Sequence, residues 1–450
     1  MSIKKTGRVP ALVSVLAAAT LVLAGCGNDG EKTEKATEPD AGADSSGETV
    51  EIEYWHRLPD GEGMVKVQES VDRFNAEHDS IKVSSVKFEG KPQESYAKIQ
   101  QAVKAGNAPC LAQIGYGEVA SEYLAGDLMD VSEYAEEYAS NYSEGAMGMM
   151  TLGDVVVGLP QDTGPLVYIY DKDAFDELGI EAPTTWEEFK SAAETAKEAG
   201  KYIGTWQADE TQYRMSGMAA AAGGTWFNAE GDAWKVDANG EASQKVAEIQ
   251  QDLLDNDLLL PIDRWSDDFN AKLADGTIIG SVAAAWEPAF VLDVFDTDGE
   301  VAELNWQVAQ LPEFTPGTPA TGSDGGSGVA VISGCEHPAE ALEFANWYNT
   351  QVDDLVSQGL VVATNQGEGT TPDAWQKHFG GQDVYAELLK ANENLNPNFP
   401  YAPTWPAVGT KMNEIGGEVK DGSATVMDIF EAAQSEALSS LKAAGVNVTE

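Results

Sequence analysis

Basic side chains are scarce: 27 Lys and Arg stand against 75 Asp and Glu in 450 residues, a formal charge of −48. Such a surface repels a phosphate backbone over most of its area, which excludes nucleic acid as a partner. Cysteine and histidine are scarcer still, at 3 and 4. No Cys-x-x-Cys, His-Glu-x-x-His or Gly-x-Ser-x-Gly occurs, and His56, His78, His337 and His378 are scattered. A zinc site and a serine triad therefore lack support, and no metal or cofactor is expected. The acids around Asp296 and Asp298 do not fit a calcium loop, because Val294 would hold its first position. There is no internal repeat and no P-loop. The glycine-rich stretch 322–328 runs into an apolar strand, whereas a phosphate cradle needs a strand before it and a helix after it.

Residues 27–48 lack Val, Ile, Leu and aromatics altogether, so nothing there offsets the entropy of ordering the chain. The segment reads as a flexible leash, which at roughly 20 residues reaches about 25 Å. Before it, Lys4, Lys5 and Arg8 precede an apolar run from Ala11 to Ala24. At about 14 residues this run is too short to span a bilayer, which takes roughly 20, and it reads as a signal peptide. The junction Leu23, Ala24, Gly25, Cys26 resembles a bacterial lipobox, which would leave Cys26 as a lipidated N terminus anchored to the membrane.

What remains is ordinary globular material, 42% hydrophobic and 8% aromatic, long enough for two or three domains. From Val50 the chain alternates β-like and helical periods, the mark of an α/β architecture. Val50, Ile52 and Tyr54 alternate as a strand; Met64, Val67, Val71 and Phe74 form a helical stripe; 81–88 and 111–114 read as further strands. Two apolar runs, 155–160 and 166–170, are broken by Gln161, Asp162, Thr163 and Gly164, as in a chain crossing between lobes. Thr184 and Glu187 fit a capping box for a helix that buries Trp186, Phe189, Ala193 and Ala196. His337 and Pro338 open another, with Ala341, Phe344, Ala345 and Tyr348 on one face.

Several segments together resemble the extracellular solute-binding proteins of ABC importers, the type with oligosaccharide-binding members. They are Glu53-Tyr54-Trp55, Phe74-Asn75, the stretch Gly158-Leu159-Pro160 through Tyr170-Asp171, Ala182-Pro183-Thr184-Thr185-Trp186 with Phe189, and Gly325-Gly326-Ser327-Gly328-Val329 followed by Ala341 and Phe344. The resemblance implies a two-lobed type II periplasmic-binding-protein fold with a hinge and a ligand cleft between the lobes. The crossings would fall near 161–165 and 324–328. The expected division is 1–25 leader, 26–49 lipidated Cys26 and linker, 50–163 with 326–365 as N-terminal lobe, and 164–325 with 366–450 as C-terminal lobe. One departure stands out: where relatives have Pro-Asp before the third strand, this chain has Pro109-Cys110. The family topology sets the strand ending near Ser333 antiparallel to the one starting at Leu111, so the resemblance implies that Cys110 and Cys335 meet, either as a disulfide, which would persist outside the cytoplasm, or as two buried free thiols.

Eleven tryptophans suit a sugar ligand, whose apolar C–H patches lie well on aromatic faces, but each can equally be core. Trp186 and Trp347 sit on apolar helical faces and are assigned to packing. Trp55 and His56 follow a strand, where cleft residues gather, and Trp55 is either contact or core. Trp206 with Asp209, and Trp226 after Gly223-Gly224, occupy loop positions. Trp286, followed by Glu287, closes an apolar run where the resembling family often lends an aromatic to the cleft, and is the foremost stacking candidate. Tyr116 and Glu118 end the third strand; Gln161, Asp162 and Thr163 stand at a crossing, able to bond vicinal hydroxyls or to cap a bend. Gly325 and Gly326 stand at the other crossing. Asn396, Asn398, Phe399, Tyr401 and Trp405 form a cluster that is either lobe packing or cleft wall. Arg57 and Arg264 are the weak signs of a charged ligand. The reading is a monomeric, non-enzymatic receptor that captures an oligosaccharide and delivers it to an ABC importer permease. A receptor for peptides or other solutes and a glycoside hydrolase, which needs only two carboxylates about 5 Å apart, are the alternatives.

Overall fold

The computed structural model describes residues 49–61, 64–230, 233–264, 266–288, 294–295, 302–367 and 369–449. The leader, the lipobox with Cys26 and the leash lie outside the described residues, as do Asp296 and Asp298.

The alternation at Val50 becomes strand Val50–His56, with Ile52, Tyr54 and His56 turned into the interior. It pairs in parallel with Ile81–Lys87 on one side and Leu111–Gly115 on the other. Ser323–Val331 follows antiparallel to Leu111–Gly115, and Gly158–Asp171 antiparallel to Ser323–Val331. The runs 155–160 and 166–170 do not end at the polar interruption. From Gly158 on they join in one strand of 14 residues, because its backbone changes partners instead of losing them, while Val155–Val156 pairs separately with Thr151–Leu152. Its first half pairs with Ser323–Val331, Asp162 and Thr163 also meet Val361–Val362, and its second half lies between Gly280–Ala284 and Trp306–Gln310. The ladder with Ser323–Val331 shifts register between Ser323 and Gly326 and again between Ser327 and Gly328. The two strands approach so closely there that a Cβ on Gly164 would stand 2.4 Å from the Asp324 carbonyl oxygen.

Hydrophobic cores lie on either side of this ribbon, and they make the two lobes. On one side, Ile52, Tyr54, Phe74, Leu111, Phe344 and Tyr348 pack together, with Tyr96, Ile114 and Met150 in a neighbouring cluster. On the other, Trp186, Phe189, Trp226, Trp405 and Phe430 form the largest core. Each such fully buried aromatic contributes roughly 2–3 kcal/mol of transfer free energy.

The helix start near Thr184 is displaced by one residue. Helix Trp186–Glu198 is capped by Thr185, whose extended backbone (φ −132°, ψ 159°) lets Oγ1 accept from the Glu188 N–H. The reciprocal half of the box does not form: Glu188, not Glu187, reaches back, and it accepts from the N–H and hydroxyl of Thr184, one residue before the cap. Helix Pro338–Asn349 places Pro338 at its first turn, where a missing N–H costs nothing. The antiparallel register pairs Val331 with Leu111, and just beyond those ends Cys110 and Cys335 form a disulfide, with Cα atoms 4.6 Å apart.

Candidate functional site

Successive residues of an extended strand face opposite ways, and the ribbon uses this to make two surfaces. Asp162 faces a cleft of two adjoining cavities, of about 210 and 920 Å³. Thr163 faces a third cavity of about 430 Å³ on the other side, and its hydroxyl donates to Asn392.

The N-terminal lobe brings three features to the cleft. Arg57, just past strand Val50–His56, donates from Nη1 to Ser95 Oγ and to the Gln113 carbonyl, both at 3.1 Å, and lies 5.0 Å from the Tyr96 ring centroid. Gln113 continues the chain of bonds, donating to Ser327 Oγ at 2.9 Å, which donates to Asp162 Oδ1 at 2.5 Å. Glu118, in the first turn of helix Tyr116–Ala125, accepts from the Tyr213 hydroxyl of the facing lobe at 2.7 Å. Burial lifts its carboxyl above the ordinary range, against the pull of hydrogen bonds from Tyr213 and Tyr96 and of the Arg57 charge.

The C-terminal lobe supplies Asp209, Glu210, Tyr213, Trp286 and Trp405. Glu287 turns inward beneath Trp286 and pairs with the buried Arg264. Strand Ser323–Val331 supplies Gly325 and Gly326, at the register shift. At Gly326 φ is +94°, and a Cβ would stand 2.9 Å from the Tyr116 ring, so only glycine fits.

Glu118, Asp162, Asp209, Trp286, Gly325 and Gly326 thus line one cleft, with Glu287 behind it. Other expected residues lie elsewhere. Trp55 donates to Glu53 and carries Lys98 Nζ at 4.0 Å over its ring. His56 is buried beside Tyr54, and burial lowers its imidazole to about 4. Gln161 is wholly buried in its lobe, donating to Asn349 and Tyr54. Tyr116 donates to the Asp162 carbonyl at 2.8 Å and, like Phe399, lines the cavity behind the ribbon. Trp206 and Trp226 belong to the core of their lobe, with indoles bonded to the Gly416 carbonyl and Ser243 Oγ. Asn398 is exposed, bonded through its N–H to Asn396.

Tyr96, Gln113, Glu210 and Tyr213 were not anticipated from sequence. Gln113 alone left a signal: an amide in the centre of a strand whose five residues are all buried.

Asp162 gives a pH prediction. Burial, ahead of the opposing bonds from Ser327, lifts its carboxyl from an ordinary 3.8 to about 6. The native protein therefore keeps a proton that the unfolded chain has released. The associated stability is complete below pH 3.8 and is lost as pH rises through about 6. Asp162→Asn retains an acceptor for Ser327 and is expected to stabilise by about 3 kcal/mol at pH 7.5, a gain that vanishes near pH 4. Denaturant titrations at the two pH values check this; equal effects at both would show that ionising Asp162 costs nothing.

The sequence from residue 59 to 352 matches the family model described as bacterial extracellular solute-binding protein. The chain belongs to this solute-binding family. Its members bind solutes rather than transform them. Among solved structures, the galacto-N-biose-/lacto-N-biose I-binding protein of an ABC transporter from Bifidobacterium longum, in complex with lacto-N-biose, is 44% identical. It superposes with a TM-score of 0.85, covering 90% of this chain and 100% of that one. The diacetylchitobiose binding protein DasA of Streptomyces coelicolor is 25% identical over 404 residues, 87% of this chain and 88% of its own. The sn-glycerol-3-phosphate-binding periplasmic protein UgpB of Pectobacterium atrosepticum is 24% identical over 303 residues, 63% of this chain and 66% of its own. The extracellular solute-binding fold thus carries both neutral sugars and a phosphorylated solute among these relatives.

Proposed function

We propose that this chain captures a neutral disaccharide or short oligosaccharide between its lobes and presents it to the permease of an ABC importer. One observation carries the reading: the interlobe cleft sets the indole of Trp286 among the carboxylates Glu118, Asp162 and Glu210, a stacking surface ringed by hydroxyl acceptors. The 44% identity to a lacto-N-biose-binding relative supports it. An anionic solute would meet those acids, while Arg264 is already engaged by Glu210, Glu287 and Asp324.

The ligand contacts we assign are Trp286, Glu118, Asp162, Asp209, Gly325 and Gly326, joined by Arg57, Tyr96, Glu210 and Tyr213. The chain changes lobe at 163/164, 325/326 and 365/366. A lipid on Cys26 and the leash after it would hold a monomeric receptor just off the membrane, on the extracellular side.

Calorimetric titration of the purified protein with lacto-N-biose, diacetylchitobiose, lactose and sn-glycerol 3-phosphate tests this. Saturable heat with at least one of the sugars and none with the phosphate is expected. Heat with the phosphate alone would overturn the neutral-sugar reading.

A further inference from the structure

Arg264 stands behind the cleft wall with a side chain only 2% exposed. Burial alone would draw its guanidinium pKa down, and the charges of Glu287, Asp324 and Asp209 more than reverse this. Three chain segments converge on it: Glu210 at the start of helix Thr211–Ala221, Trp286 and Glu287 after strand Gly280–Ala284, and Asp324 on the hinge strand. Its guanidinium carbon lies 5.0 Å from the Trp286 ring centroid. The indole is also held at its edge, where Nε1 donates to the backbone carbonyl of Asp324 at 3.1 Å. The carboxylate of that same Asp324 lies 3.4 Å from Arg264 Nη1.

These two contacts of the indole thus belong to one buried cluster. A planar guanidinium can lie parallel to a ring while its edge donors reach several carboxylates. A lysine ammonium offers a point charge and no plane, and so cannot do both.

We propose that Arg264 is the positioning residue for Trp286: it fixes the plane of the indole against the hinge strand before any ligand arrives, and acts on affinity through that ring. The proposal rests on the sugar-binding reading only for its second clause.

The test has a ligand-free arm and a binding arm. Without sugar, the near-UV circular dichroism of Trp286 is obtained as wild type minus Trp286→Phe, and again in the Arg264→Lys background. A loss of half or more of that signal is expected. An unchanged signal would overturn the proposal. With lacto-N-biose as probe, calorimetry on Trp286→Ala, Arg264→Lys and the double variant is expected to show losses of roughly 30-fold, 10-fold and 30-fold, because removing the ring leaves Arg264 nothing to position. Multiplying losses would show that Arg264 acts independently of Trp286 and overturn it. Should Arg264→Lys fail to fold, Arg264→Met with Glu287→Gln removes one facing charge together with the cation and takes its place in both arms. If lacto-N-biose gives no heat with wild type, the ligand assignment fails, and the ligand-free arm still decides the role of Arg264.

Discussion

Replacing Cys110 and Cys335 together by serine is expected to lower the unfolding free energy by about 5 kcal/mol and leave sugar affinity unchanged. The bond joins residues 225 apart in sequence, and cross-linking so long a loop removes much of the freedom of the unfolded chain. On the chain-entropy account a loop of this length is worth about 5 kcal/mol. The native state should change little, because the register Val331 to Leu111 already brings the strand ends together. Neither cysteine lines the cleft. Guanidinium unfolding of the wild type and the double serine variant measures the difference. A loss below about 1 kcal/mol would show that the unfolded chain stays compact enough to gain nothing from the bridge.

Trp405→Ala is expected to cost about 3–5 kcal/mol of stability and more than tenfold in sugar affinity. Trp405 is 1% exposed, with ring centroids of Tyr401, Tyr213 and Trp226 at 4.8, 5.9 and 6.3 Å. Removing it leaves a cavity in the largest core. It also removes a wall of the cleft and a point where the lobes touch. A Cβ on Gly117, in the N-terminal lobe, would stand 2.5 Å from the indole, so the ring lies directly against that backbone. Chemical denaturation and calorimetry on the same preparation separate the effects. Full affinity with reduced stability would return Trp405 to the core and out of the binding surface.

Much of the scaffold was legible because its signals are local. Period-two alternation marked Val50–His56, and a Pro-initiated pattern marked Pro338–Asn349. The polar break at Gln161 to Gly164 marked the stretch where the long strand changes partners, though not that the strand runs through it unbroken, since backbone partners are invisible in sequence. The site was legible only in part. Trp206, Trp226 and Trp286 all follow strand-like or loop segments, and only the last lines the cleft; the difference is which way the main chain turns. Gln161 and Asp162 are neighbours that sequence alone does not separate, yet strand alternation sends one into the core and the other toward the cleft. Tyr96 and Tyr213 lie on helices, where an aromatic facing a cleft and one facing a core give the same pattern.

The bridge has one more consequence, and it is topological. Residues 110 to 335 form a closed covalent ring that contains the long strand Gly158–Asp171, its partner Ser323–Val331 and most of the largest core. A protease that severs the backbone once inside this ring makes two chains but still one molecule, whose halves remain tethered at high effective concentration and can close again around the cut. A single cut between residue 335 and Trp405 has no such protection and severs the helices Trp405–Lys420 and Val426–Ala443 from the ring, as a cut just before Cys110 severs the strands Val50–His56 and Ile81–Lys87. For a member of an extracellular or periplasmic family, the ring is thereby armoured against nicking, and the segments on either side of it are the parts left to be lost.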